Sequence, residues 1–301
     1  MEVLIFGGSG FIGQHLAEGL EQAGHRCWIA TRGPREVRHG TCIRYDTPHL
    51  DNLLKRFTGS DYAVVNLLGE SLAKRRWTPD QKNRILNSRV EFTQALAASI
   101  LQIPERPLVL LNASAIGYYG NSETAVFTES SPPGEGFLAQ VAQSWEGAAA
   151  AAMSATRVVF LRLGVVLGMD GGALPTMITP YRWFAGGNLG TGRQWVSWIH
   201  IQDVVNLALL SLCNSSLQGP MNAVSPHPVL MAEFGRTLAR AMNQPHWLPI
   251  PAVVVRLLLG EMSSMILEGQ HVLPEQAENS GYSFAYAHLS EALADLLPSH
   301  S

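Results

Sequence analysis

Apolar residues follow two rhythms along the first two-thirds of this chain. EVLIF (2–6) and RCWIAT (26–31) read as strands, with TCIRYD (41–46) a candidate third; DYAVVNLLG (61–69) and PLVLLNAS (107–114), long apolar runs ending in small or polar residues, read as central parallel strands. TRVVFLRLGVVLG (156–168) reads as a further strand running into a loop. Between them, FIGQHLAEGLEQAG (11–24), residues 80–101 and Phe137 to Ala152 carry apolar residues near helical spacing. Parallel neighbours need a crossover, so strand, helix and strand repeated in this way predict an α/β fold with a doubly wound parallel sheet. After about residue 168 the rhythm breaks. MDGGALPTM, FAGGNLGTGRQ and SPHPV predict loops closing over the sheet's carboxyl edge, with helices at 203–213, 232–242 and 289–297.

Composition narrows the class. Hydrophobic residues make up 47% of the 301 and charged ones 15%, the balance of a globular enzyme rather than a disordered chain. A formal charge of −3 offers no field to hold nucleic acid or an anionic membrane. Lys74, Arg75 and Arg76 gather as either a solvated loop face or an anion contact. Cys27, Cys42 and Cys213 show no paired or metal-type spacing and read as reduced, core or half-buried thiols of a cytoplasmic protein, with no metal site. Met1 leads straight into VLIF and glycines, so no signal peptide is expected, and no apolar run reaches the length of a membrane span.

The candidate chemistry begins at GGSGFIG (7–13), which follows a strand and opens a helix. Gly7 permits the tight turn, Gly10 lets backbone N–H groups approach a pyrophosphate, and Gly13 allows close helix–strand packing. Phe11 and Ile12 supply the helix start that stabilises the negative charge. This is the signature of a Rossmann-type dinucleotide site. The second strand ends in Thr31-Arg32, with Arg35 close behind, where an acidic residue would indicate NAD. A guanidinium grips a 2′-phosphate, so NADP(H) is the expected cofactor.

With GGSGFIG, NLLG (66–69), ASAIGYYG (113–120), RLGVVLG (162–168) and WIHIQD (198–203) in this order, the chain resembles the extended short-chain dehydrogenase/reductase family over about residues 1–225. GES (69–71), KRRWT (74–78), NSR (87–89) and DGGALPTM (170–177) are similar to one atypical branch, the epimerase family proteins. That branch has a small C-terminal domain, matching about 247–297 with EGQHVLP (268–274) as its marker. The resemblance implies a nucleotide-binding domain over 1–225, with residues from about 168 on the substrate side. It implies that Thr31 and Arg32 hold the adenosine phosphate and that Leu67, Leu68 and Gly69 lie along the adenine and ribose. Val166 approaches the nicotinamide end. Arg89 reaches the phosphates or ribose, and Arg84 either joins it or faces solvent.

The same resemblance implies a catalytic serine, tyrosine and lysine, and here the chain departs from it. The serine position falls at Ala115, with Ser114 one residue off and so on the other face of a strand. The tyrosine position falls near Phe137 or Leu138. No Tyr or Lys occurs from 120 to 161, and Lys82 is the last lysine. Replacement proton donors are sought in Tyr118 and Tyr119, which otherwise wall the pocket, in Ser114, and in His200, which otherwise packs against Asp203. Asp203 is expected to cap its helix. Residues 186–195 form either a substrate lid, through Arg193, Gln194 and Trp195, or a surface loop over the C-terminal domain. Trp77, Trp145 and Trp198 are assigned to packing. These readings converge on an NADP(H)-binding, oxidoreductase-like protein acting on a small carbonyl or hydroxyl compound, monomeric or paired through the helices of 80–101 and 137–152. The alternative is a non-catalytic NADP(H) redox sensor.

Overall fold

Strands paired in parallel with their neighbours set the frame. The computed structural model describes residues 1–33, 36–73 and 75–297; Arg35 and Lys74 lie outside the described residues. The strands are β1 (Glu2–Phe6), β2 (Arg26–Thr31), β3 (Thr41–Arg44), β4 (Tyr62–Asn66), β5 (Val109–Ala115), β6 (Val126–Phe127), β7 (Arg157–Leu163), β8 (Val165–Leu167), β9 (Trp195–Val196), β10 (Trp198–His200), β11 (Gly219–Ala223), β12 (Val229–Leu230) and β13 (His271–Val272). Seven of them form one parallel sheet in the order β11-β7-β5-β4-β1-β2-β3. The chain reverses direction across the sheet between β1 and β4, which opens a crevice at their carboxyl ends.

Helices cover both faces, as the doubly apolar strands require. α1 (Phe11–Gln22) packs with α6 (Ile201–Cys213) on the side of Val3, Ile5, Ala63 and Val65. The opposite side, with Leu4, Phe6, Tyr62 and Val64, is covered by α2 (Leu50–Leu54), α3 (Pro79–Gln102) and the end of α4 (Phe137–Ala150). Strand alternation therefore splits one run such as EVLIF between two cores.

Beyond residue 168 the chain is more ordered than its glycines and prolines suggest. α5 (Leu174–Arg182) forms with Pro175 in its first turn, where the missing N–H costs nothing. The seventh strand, GPMNA, has no apolar run to mark it; register with β7 creates it. α7 (Met231–Ala241) and the last helix, Leu289–Leu296, close a third core with Trp198 and Tyr181, and α8 (Ala252–Leu259) lies between them in the chain. None of the three cysteines forms a disulfide, and Cys42 and Cys213 are exposed rather than core or half-buried, because β3 is the sheet's edge and Cys213 ends α6. Among the described residues no helix is long and apolar enough to cross a membrane.

Candidate functional site

At the crevice, β1 turns into α1 through Gly7, whose φ of +81° is a conformation that favours glycine. A Cβ on Gly7 would stand 2.9 Å from the carbonyl carbon and oxygen of Leu67, and one on Gly13 would stand 2.5 Å from Gly7 O and Gly8 Cα. The loop after β4 and the start of α1 thus press against the turn with backbone alone. No side chain caps α1 at Gly10 and its first turn holds no carboxylate, so the free N–H groups of Phe11, Ile12 and their neighbours are left to an anion. The Phe11 ring itself turns away from this role. It seats against Gly168, Gly171 and Gly172, and His15 next to it pairs with Asp170 at 3.0 Å.

Thr31 is buried at the end of β2 and Arg32 is exposed just beyond it, near Tyr45. Leu67 and Leu68 are half-buried; Leu67 N–H donates to Phe6 O and Leu68 N–H to Asn66 Oδ1. Arg89 comes to the same edge. Its guanidinium fills the space that a Cβ on Gly69 would need, donates to Ile85 O and lies 5.1 Å from the Trp145 ring centroid. Burial pushes its pKa down to about 10, against the opposing charge of Glu70. Arg84, five residues away and about 140° round the helix, is exposed. Val166 is buried in β8 beside Ile199 of β10.

The predicted proton donors are mostly committed elsewhere. β5 continues without a bend to Ala115, with Ser114 opposite Arg162 and Ala115 opposite Leu163, so Ser114 does not take the family serine's place. Its hydroxyl instead donates to Glu146 Oε1 at 2.6 Å. Glu146 accepts two further bonds from Arg162, Nε to Oε1 and Nη2 to Oε2, each 2.8 Å. Arg162 Nη1 donates to the Tyr119 hydroxyl, which in turn donates to Asn222 Oδ1 at 2.7 Å. Tyr119 is 2% exposed, and burial pushes its pKa up to about 12 despite Arg162. The Tyr118 ring lies under the Arg162 guanidinium, 3.5 Å from its centroid, among Ile116, Phe127 and Val272. Burial alone would lower the Arg162 pKa, but the hydrogen bonds and charge of Glu146 leave it raised.

His200 is likewise engaged within the fold. It caps α6, with Nδ1 accepting the Gln202 N–H at 3.1 Å, while Nε2 faces Asp295 Oδ2 at 3.2 Å and the ring lies on Tyr286. Asp203, expected to be that cap, instead accepts from the Tyr282 hydroxyl and from the N–H groups of Ala285 and Tyr286, fastening the C-terminal segment. Burial lowers the His200 pKa, partly opposed by Asp295 and Asp203. A folded pKa below the unfolded value of 6.5 leaves stability unaffected above pH 6.5 and reduces it as pH falls below that. The unfolding midpoint of His200→Asn, which keeps a capping oxygen, is expected to fall less between pH 6.5 and 5 than that of the unaltered chain; equal slopes would refute this.

The loop 186–195 follows its surface-loop reading. Gln194 is buried and donates to Leu189 O and Ile266 O, Trp195 donates to Glu123 O and packs on His271, and Arg193 lies 3.7 Å from Glu123. Arg76 of the basic cluster donates to the carbonyls of Leu257 and Leu258 at the end of α8. Trp77, Trp145 and Trp198 are buried, each with its indole N–H satisfied.

A cavity of about 580 Å³ opens beside the carboxyl end of β5, between Gly117 and Gly120, the start of α4 at Phe137, and Arg256 and Glu261 of the C-terminal region. Sequence reasoning missed one of its walls: Lys82 on α3 lies 5.2 Å from the Phe137 ring centroid and pairs with Glu261. A larger groove of about 730 Å³, between α7 and the last helix, takes no wall from the loops after β1, β4 or β5. Neither Lys82's contact nor the Ser114–Glu146–Arg162–Tyr119 chain has a local spacing signal. The buried pair does leave one trace, a charged residue inside each of two apolar runs, RVVFLRL and AQSWEGAAA.

Known proteins place this geometry. The NAD dependent epimerase/dehydratase family matches residues 3–223, and a domain of unknown function (DUF1731) matches residues 250–296. The epimerase family protein YfhF of Bacillus subtilis is 40% identical, covering 99% of this chain and 98% of its own. The chloroplastic epimerase family protein SDR39U1 homolog of Arabidopsis thaliana is also 40% identical, over 99% of this chain and 87% of its own. The crystal structure of human epimerase family protein SDR39U1 (isoform 2) with NADPH superposes with a TM-score of 0.90 at 35% identity, covering 99% of both chains.

Proposed function

The chain belongs to the NAD dependent epimerase/dehydratase family, and on that premise we propose that it is an NADP(H)-binding, oxidoreductase-like protein acting on a small carbonyl or hydroxyl compound. One observation carries the reading: the uncapped start of α1 faces the β1–β4 crevice, with Arg32 exposed at the end of β2. The human relative's NADPH supports the same choice. The N–H groups of α1's first turn would hold the pyrophosphate, Thr31 and Arg32 the adenosine phosphate, Leu67 and Leu68 the adenine and ribose, and Arg89 a phosphate or the ribose. When bound, the cofactor supplies or accepts the hydride, and the protein's part is to orient it and manage a proton.

Fluorescence titration with NADPH and NADH tests this. Arg32→Ala is expected to raise the NADPH dissociation constant by about 30-fold, since a charge-assisted hydrogen bond contributes about 1.5–3 kcal/mol. NADH should change by less than about threefold on the same scale. Equal losses for the two cofactors would remove the 2′-phosphate assignment. The redox-sensor reading draws on a different fact, that Ser114, Tyr119 and His200 spend their polar groups internally. NADPH oxidation on a panel of carbonyl compounds separates the two.

A further inference from the structure

The resemblance implies the proton-transferring tyrosine near Phe137 or Leu138, and a lysine reaches the Phe137 ring from a different helix. Lys82 sits one turn into α3, not four residues along α4, yet its ammonium lies 5.2 Å from the Phe137 centroid. Glu261, from the segment after α8, pairs with it. A long, flexible lysine chain has many rotamers, and pairing with the carboxylate favours those that reach it. Both groups line the cavity at the carboxyl end of β5, with Asn121, Glu135 and Arg256 on its other walls. Carboxylates and cations together accept from and donate to hydroxyl groups, so the wall chemistry suits a small, uncharged, hydroxylated carbonyl compound.

We propose that Lys82, positioned by Glu261, meets the carbonyl oxygen of such a substrate and protonates it in place of the absent phenol. This rests on the NADP(H) reading above. In the step, the carbonyl carbon gains a hydride as NADPH is oxidised to NADP⁺. A Lys82 N–H bond breaks and an O–H bond forms, leaving an alcohol and a neutral amine that takes its proton back from water.

The chain has three lysines, Lys55, Lys74 and Lys82, so each can be followed by peptide mass spectrometry. The probe is glycolaldehyde with cyanoborohydride, which traps an amine that meets a carbonyl, applied to the full chain in the presence of NADP⁺. Lys55 is the internal reference. It too is paired with a carboxylate, Asp51, and its side chain is 50% exposed against 28% for Lys82, so exposure alone makes Lys55 the faster. The proposal expects Lys82 to be alkylated at least about fivefold faster than Lys55, with the preference lost in urea, where the cavity no longer exists. Equal or slower labelling of Lys82 would overturn it.

NADPH affinity of Lys82→Met is expected to stay within about twofold of the unaltered chain, because no cofactor contact is assigned to Lys82. If the unaltered chain fails to bind NADPH, the cofactor reading falls, and the labelling ratio still reports on Lys82. For any carbonyl compound that the unaltered chain reduces, Lys82→Met should lower kcat by about 100-fold, the low end of general acid catalysis. A variant that keeps its kcat would also overturn the proposal.

Discussion

Glu146→Leu is expected to lower the free energy of unfolding by about 3–5 kcal/mol, measured by urea denaturation, because it strands Arg162 in the core. Arg162 is 3% exposed and Glu146 7%, so water cannot replace the lost partner. Of the four polar contacts that Arg162 makes in this cluster, the substitution removes both bonds to Glu146 and leaves the Tyr119 hydroxyl and the Tyr118 face. Ser114 also loses its acceptor. The sign of the loss follows from the asymmetry of buried pairs, in which one stranded charge costs more than the intact pair contributes. Removing both charges should therefore restore most of the stability: Glu146→Leu with Arg162→Met is expected within about 2 kcal/mol of the unaltered chain. A single variant losing less than about 1 kcal/mol would mean that water or a neighbouring group reaches Arg162.

This cluster also ties together what lies around it. Glu146 is on α4, Ser114 on β5, Arg162 on β7, and Asn222 on β11; the start of α4 and the turn after β5 line the cavity at Phe137 and Gly117. The polar groups that resemble a catalytic set on paper act as a brace. Tyr119 and Ser114 are near the expected place in sequence, but their hydroxyls are turned into the sheet–helix layer rather than towards the cavity.

Why the sequence showed the frame and hid the brace has a physical basis. The central strands β1, β4, β5 and β7 are legible because burial on both faces forces apolar runs, and the turn at Gly7 because its conformation admits few other residues. GPMNA is silent because a strand at the sheet's far edge is held by register with β7, which propensity does not encode. Asp203 and His200 illustrate the same limit. Both are polar residues near the start of α6, and local rules favour aspartate as its cap. The choice was decided by residues 282–286, some 80 positions away, whose N–H groups and phenol claim the carboxylate. Lys82 and Phe137 are separated by more than 50 residues, and only the packing of α3 against α4 brings them together.

Gly7→Ala is expected to weaken NADPH binding by at least about 100-fold, about 2.7 kcal/mol, in a fluorescence titration. Two costs add. The φ of +81° is unfavourable for any residue with a Cβ, by about 1 kcal/mol or more. The new methyl would also stand 2.9 Å from the carbonyl carbon and oxygen of Leu67, which are backbone atoms and cannot swing aside as a side chain can. Relief requires the β1 turn and the loop after β4 to part, and that is the gap in which the nucleotide is proposed to lie. Gly24 provides the control. It has nearly the same φ, +80°, and nothing within 4 Å of its added Cβ, so Gly24→Ala carries the conformational cost without the clash. Gly24→Ala should lose stability of the order of 1 kcal/mol and keep its NADPH affinity. If both variants bind NADPH alike, the crevice between Gly7 and Leu67 is not where the cofactor sits.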